Sequence, residues 1–243
     1  MEQTGVTTGS ERRRLRALVT PLAWAASAIT LVFALAETAA SGAFSAATGT
    51  DSSRVSAAAD FCSAPNSQTM AATADTTINQ GAANVAPSAT DIRMRVTSRT
   101  GSPNPTNIRG LVRFALPTVP AGCTISSAWL RLYNVLPVSG RIIDVHRIDA
   151  TAPLWVEGAV TWNTRPGVVA GTAVGRPSPA AEGWMEWDVT AQVPSLYSGN
   201  NNGFMVQDRV EDDLVGVEQS FVSRDTSTGP YAATLPALVV TWS

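Results

Sequence analysis

Six side chains stand out for what their types and spacing could do together. Arg93 and Arg95 alternate with Ile92, Met94 and Val96; Arg113 opposes Val112, Phe114 and Leu116; and Trp129, Arg131 and Tyr133 alternate with Ala128, Leu130 and Leu132. A guanidinium is a planar fork of N–H donors that pairs bidentately with a carboxylate, and a flat aromatic ring can cover the apolar face of a sugar ring. If these runs are neighbouring strands, one face carries forks and plates together, which suits an acidic polysaccharide, a uronate chain above all. The plainer role of the same residues is to keep an exposed strand face soluble and to block edge pairing, with Trp129 covered by a second sheet or a loop.

Reactive chemistry has fewer candidates. The chain holds one histidine, His146, in a strand-like run, and no Gly-x-Ser-x-Gly elbow accompanies it. Glu157, Glu186, Asp188 and Asp213 could in principle supply the carboxylate pair of a glycoside hydrolase. Sequence spacing does not place any two of them at the needed separation, and Asp188, at a strand end, has the ordinary role of accepting backbone N–H bonds. Glu211-Asp212-Asp213 lacks the spacing of an EF-hand loop and reads as solvated loop.

The elements that must position these residues are strands. Period-two alternation marks 91–97, 108–116 and 125–135, and further strands are expected at 70–78, 141–148, 184–190, 204–207, 219–223 and 237–242, separated by turn-rich Gly, Pro, Asn and Ser. A single short helical turn is expected within 191–198, and one more short strand fits between 167 and 183. With no helical periodicity outside the N-terminal stretch and no internal repeat, the expectation is an all-β fold, an antiparallel two-sheet β-sandwich.

The stretch from Trp155 to Pro166 packs two indoles, a glycine and a Val-Thr pair into twelve residues and reads as a loop running into a short strand, bent at Gly158. Its pattern, Trp-x-Glu-Gly-x-Val-Thr-Trp-Asn-x-Arg-Pro, resembles the signature of the DNRLRE domain family, which is related to the disaggregatase repeat and to an alginate-binding carbohydrate-binding module. Two further blocks carry the resemblance: Arg113 to Tyr133, running Arg-Phe-x-Leu-Pro through Ala-x-Leu-Arg-Leu-Tyr, and Trp184 to Thr190 ending in Asp-Val-Thr. An Ala-Asp-Thr segment at 74–76 and a Ser-Arg-Asp triplet at 223–225 complete the pattern. The resemblance implies a jelly-roll type of sandwich over residues 68–243, a non-catalytic carbohydrate-binding role, and a structural calcium ion of which Asp75 or Asp188 would be a ligand. The expected ligand patch is Arg93, Arg95, Arg113, Trp129, Arg131 and Tyr133, with no cofactor required.

Composition bounds the partners. Charged residues make up 15% of the chain and the net charge is −2, too small a bias to argue for nucleic acid. Arg12, Arg13, Arg14 and Arg16 precede an uncharged run ending at Ala36, the layout of an export signal over residues 1–36. Cleavage after Ala36 or Ala40 gives a secreted or cell-surface protein; an uncleaved segment would be its only membrane attachment. Residues 37–67 read as an Ala/Ser/Thr linker of low intrinsic order. Cys62 and Cys123 form an even pair in the exported part, which suggests a disulfide; two free buried thiols are the alternative. The functional expectation is therefore binding of a polysaccharide or cell-envelope glycan. A structural cell-surface or matrix protein and a polysaccharide lyase or hydrolase are the alternatives.

Overall fold

The computed structural model describes Cys62 and residues 66–101 and 106–243. The expected export segment and nearly all of the linker fall outside the described residues. Ten strands form: β1 (Asn66–Asn79), β2 (Arg93–Ser98), β3 (Ile108–Phe114), β4 (Ile125–Asn134), β5 (Ile142–Arg147), β6 (Val174–Pro177), β7 (Gly183–Asp188), β8 (Phe204–Asp208), β9 (Val217–Val222) and β10 (Ala237–Trp242). Among the described residues the helical segments are two 3₁₀ turns, Gln80–Ala82 and Val193–Tyr197, and no helix is long and apolar enough to cross a membrane.

All strand pairing is antiparallel, and its path differs from that of two separate sheets. Hydrogen bonding runs β1-β10-β4-β9-β2-β3 and returns to β1, closing a six-stranded barrel; β8, β5 and β6 extend from β3, and β7 extends from β4. β1 makes the closure. Its residues Asn66–Ala71 pair with β10, and after a bulge between Ala72 and Ala74 the remainder pairs with β3. A bulge bends and twists the strand, so one strand can pair with β10 at one end and with β3 at the other. The other seams are thin: β2 meets β3 through Thr97 and Ile108 alone, and β4 meets β9 through Asn134 and Phe221 alone.

The main core gathers side chains from β2, β3, β4, β5, β7, β8, β9 and β10. Phe114, Leu130, Leu132, Trp187, Phe204, Phe221 and Leu238 are buried there, and the Trp187 Nε1–H is satisfied by the Ile143 carbonyl at 3.0 Å. Burying an aliphatic or aromatic side chain of this size contributes roughly 1.5–3 kcal/mol, so the alternating apolar positions of β4 and β7 set which way their other side chains face. A second cluster covers the opposite side of β1, β3 and β8. Ala74, Ile78, Leu111 and Met205 form its floor, and Trp155, Val160 and Trp162 its roof. Leu111 and Val112 are adjacent and both inaccessible, because β3 is covered on both faces.

The roof is a loop throughout; the short strand expected after Gly158 does not form. Residues 157–159 and 162–164 are turns, with Val160 N donating to Val156 O at 2.9 Å and Thr161 N donating to Thr164 Oγ1 at 2.9 Å. Trp155 and Trp162 are an odd number of residues apart, so in a strand they would face opposite ways. Two turns bring both indoles down on one surface. Gly158 permits this at φ 72°, and a Cβ there would stand 2.9 Å from the Ala89 methyl. Asn202, fully buried, receives Trp155 Nε1–H at its carbonyl (2.8 Å), and its side-chain amide donates to the carbonyls of Asp149 and Ala152, both at 3.0 Å.

Cys62 and Cys123 are joined in a disulfide with their Cα atoms 5.6 Å apart. The bridge ties the segment entering β1 to the turn before β4. Closing a loop of this length contributes on the order of 2–4 kcal/mol.

Candidate binding face

β4 and β7 pair in register, so directly opposed residues share a face: Trp129 with Asp188, Arg131 with Glu186, and Tyr133 with Trp184. Their sequence neighbours Leu130, Leu132, Met185 and Trp187 belong to the core. Successive side chains on a strand point to opposite faces, so these six must point out.

They do not point out separately. The Arg131 Nε–H donates to Glu186 Oε1 at 2.7 Å, and the same guanidinium lies 4.6 Å over the Trp184 ring. Trp184 meets Tyr133 edge to face at 5.4 Å, and Tyr133 lies 5.9 Å from Tyr231. Arg93 of β2 sits 4.6 Å over Tyr231. The Tyr231 hydroxyl donates to Glu182 at 2.8 Å, which holds its proton on more tightly than in a free phenol. At the other end Arg176 of β6 stands 5.8 Å from the Trp129 centroid, and its Nε–H donates to the Glu186 carbonyl at 2.6 Å. The result is one stripe of guanidinium and aromatic groups from Trp129 to Arg93.

A shallow cleft of about 490 Å³ opens in the stripe, lined chiefly by Arg131, Arg176, Pro177, Pro179, Trp184 and Glu186. Arg131 and Arg176 are each anchored through Nε, and their Nη ends have no protein acceptor among the described residues. Each cation–π contact at such a surface is worth roughly 0.5–1 kcal/mol, and an exposed ion pair about as much or less. The stripe is therefore held in place by the core beneath it more than by its own contacts. Chemically it offers N–H ends for anionic oxygens beside ring edges and prolines for apolar sugar faces.

Four of the six residues expected from sequence come together here: Arg93, Trp129, Arg131 and Tyr133. Arg95, half exposed, stands 3.7 Å from Asp91 in a separate small cleft with Thr77, Asn79 and Ser88. Arg113 is elsewhere. It lies beneath the tryptophan loop, where its Nη1–H donates to the Trp155 carbonyl at 3.1 Å with the guanidinium 5.0 Å from the indole, and burial lowers its pKa. Sequence reasoning missed Arg176, Trp184, Glu186 and Tyr231. Trp184 and Glu186 were within reach, since Trp-Met-Glu-Trp-Asp alternates with Met185 and Trp187 inward. Arg176 and Tyr231 come from stretches without periodicity, and no local signal places them.

The blocks that carry the sequence signature meet at a different point. Asp75 accepts from the Ser223 hydroxyl and from the Arg224 backbone N–H, both at 2.7 Å. Glu157 of the tryptophan loop accepts from the Arg224 guanidinium at 2.7 Å and from the Asp75 N–H at 3.4 Å. The node thus staples the loop and the segment after β9 onto β1. Burial pushes the Asp75 carboxyl up to about 6; the bonds from Arg224 and Ser223 oppose this, while the charges of Glu157 and Asp225 add to it.

Asp75, Glu157 and Asp225 bring carboxylate oxygens within 4.8 Å of one another, and Asp75 is one of the two expected calcium ligands. Both Asp75 oxygens already accept bonds and Glu157 is taken by Arg224, while the buried Oδ2 of Asp225 has no partner among the described residues; one guanidinium faces three carboxylates. Asp188, the other expected ligand, lies on the outer face of β7. Its Oδ1 closes onto Thr190 N and Oγ1 at 3.0 and 2.6 Å.

Of the groups weighed for catalysis, Glu186 and Asp188 share the outer face of β7 and the others lie apart from them. His146 is half buried, with its pKa lowered by burial and, secondarily, by Arg109, against the charges of Asp144 and Glu211; its Nε2 has no partner among the described residues. Asp213 is paired with Arg141 at 2.8 Å. Glu157 is in the staple and Glu186 in the stripe.

A family model described as carbohydrate-binding module family 96 matches residues 66–235, from the first residue of β1 to the threshold of β10. The match gives the same kind of module as the DNRLRE resemblance, under a different family name. No curated protein matches the chain.

Proposed function

We propose that this chain, which belongs to carbohydrate-binding module family 96, is an exported, non-catalytic module that holds an acidic polysaccharide on the outer face of β4 and β7. The observation that carries the reading is the stripe itself, with Arg131 and Arg176 presenting unengaged Nη ends to one cleft beside Trp184. A guanidinium takes a carboxylate through two parallel N–H bonds, and charge-assisted bonds of this kind contribute roughly 1.5–3 kcal/mol each. A polymer that repeats one carboxylate per ring would meet several weak contacts at once, so its affinity comes from repetition along the chain. The Cys62–Cys123 bridge fits an oxidising compartment outside the cytoplasm, where a cell-envelope glycan would be within reach.

The test is an affinity series with an oligouronate and a neutral oligoglucan, for the wild-type protein and for Arg131→Ala and Trp184→Ala. Saturable oligouronate binding that weakens about tenfold in Arg131→Ala, equivalent to ~1.4 kcal/mol, supports the reading. Equal affinity for both sugars, or wild-type affinity in both variants, removes it. Release of unsaturated or reducing sugar ends would instead identify an enzyme, and self-association without sugar binding would identify a structural protein.

A further inference from the structure

We infer that Glu186 is a built-in competitor for the ligand's carboxylates and so sets how sharply the face distinguishes charged from neutral sugars; this rests on the binding reading above. Both guanidiniums of the cleft converge on this one residue. Arg131 Nε–H bonds its Oε1 at 2.7 Å, and Arg176 Nε–H bonds its backbone carbonyl at 2.6 Å. A carboxylate of the protein therefore already holds the Nε edge of Arg131, leaving the Nη end to an incoming carboxylate.

The pair is made to be broken more easily than its counterparts. Arg109 grips Glu211 through two bonds of 2.7 Å with side chains only 17% and 22% exposed, and Arg209 grips Asp144 in the same bidentate way. Arg131 holds Glu186 by one nitrogen, and the two side chains are 33% and 45% exposed. The Arg176 contact is to the backbone, so it survives when the Glu186 side chain swings away. A ligand carboxylate that takes Arg131 must share the guanidinium with Glu186 or turn it out into solvent.

Charge points the same way. Arg93, Arg131 and Arg176 face Glu182, Glu186 and Asp188, so the empty face is balanced in sign. Neutralising Glu186 alone leaves it net positive, which favours an anionic polymer over a neutral one.

The experiment compares the wild-type protein with Glu186→Gln and Glu186→Asp, binding an oligouronate and a neutral oligoglucan at low and high salt. Glu186→Gln should bind the oligouronate about threefold to fivefold tighter at low salt, a gain that added salt erodes, with the neutral sugar unchanged. Glu186→Asp keeps the charge but is one methylene short of Arg131, so it should fall between the two. If the wild-type protein binds the oligouronate and Glu186→Gln binds it no better, or improves on both sugars alike, the competitor role is wrong while the binding face stands. If the wild-type protein takes no oligouronate at all, the reading of the face fails and this inference goes with it.

Discussion

Raising the pH from 4.5 to 7 should remove the stability that one protonated carboxyl, Asp75, contributes to the folded chain. The residue is 3% exposed, and burial is the main reason its pKa rises from 3.8 to about 6. Between those values the folded protein keeps a proton that the unfolded chain has lost, so stability falls as pH rises across the interval and is level above it. A shift of roughly two units corresponds to about 3 kcal/mol in total, at about 1.4 kcal/mol per unit. The charged groups facing Asp75 are Glu157, Asp225 and Arg224, with Arg113 near Glu157. Asp149, Asp188 and Asp213 have pKa values lowered by hydrogen bonds; their contributions are lost only as pH falls through their own lowered range, below the interval of interest. Urea denaturation with the disulfide intact, followed by tryptophan fluorescence at pH 4.5, 5.5, 6.5 and 7, measures the slope for the wild-type protein and for Asp75→Asn. Asparagine does not titrate, so the wild-type protein should lose up to about 3 kcal/mol more than the variant over the full interval from 3.8 to 6, and somewhat less over the sampled range. His146, its pKa lowered by burial, adds stability as pH rises, but it does so in both proteins; equal slopes in the wild-type protein and Asp75→Asn would refute the assignment of the shift to Asp75.

Other perturbations have outcomes set by the packing. Trp187→Ala opens the main core and strands the Ile143 carbonyl, and should cost about 3–5 kcal/mol in a denaturation midpoint series. Reducing the Cys62–Cys123 bridge should lower stability by about 2–4 kcal/mol, with the wild-type circular dichroism spectrum retained at low temperature. Gly203→Ala places a methyl against the Val112 carbonyl and 2.8 Å from the Arg113 Cα at a residue with φ 67°; a loss of at least about 1 kcal/mol and a lower melting temperature are expected. Glu157→Gln removes the charge from the staple to Arg224, and faster proteolysis within residues 153–166 should reveal the loosened loop.

Much of the architecture could be read from the chain alone, because alternation is a local property. Ala128, Leu130 and Leu132 inward with Trp129, Arg131 and Tyr133 outward follows from period two within one strand, and the burial of β4 reproduces it residue by residue. The cysteine pair was legible from its even number and its place after the expected export signal. The stretch from Trp155 to Pro166 reads locally as a loop running into a short strand and not as turn throughout, since its conformation is decided by the sheet surface on which both rings must lie. Barrel closure was not legible either. It depends on β1 changing partners at a bulge, which leaves no mark in the run of Ala and Thr there.

The binding face divides along the same line. Sequence alone determined which side chains of β4 and β7 leave the core, because each strand sorts its own residues by burial. Tertiary structure alone decided that Arg113 goes under a loop while Arg176 and Tyr231 arrive beside β4 and β7. A strand's two faces are fixed by its own backbone geometry, but a strand's neighbours are chosen by hydrogen-bond pairing across distant segments, and only neighbours can turn separate arginines and aromatics into one surface.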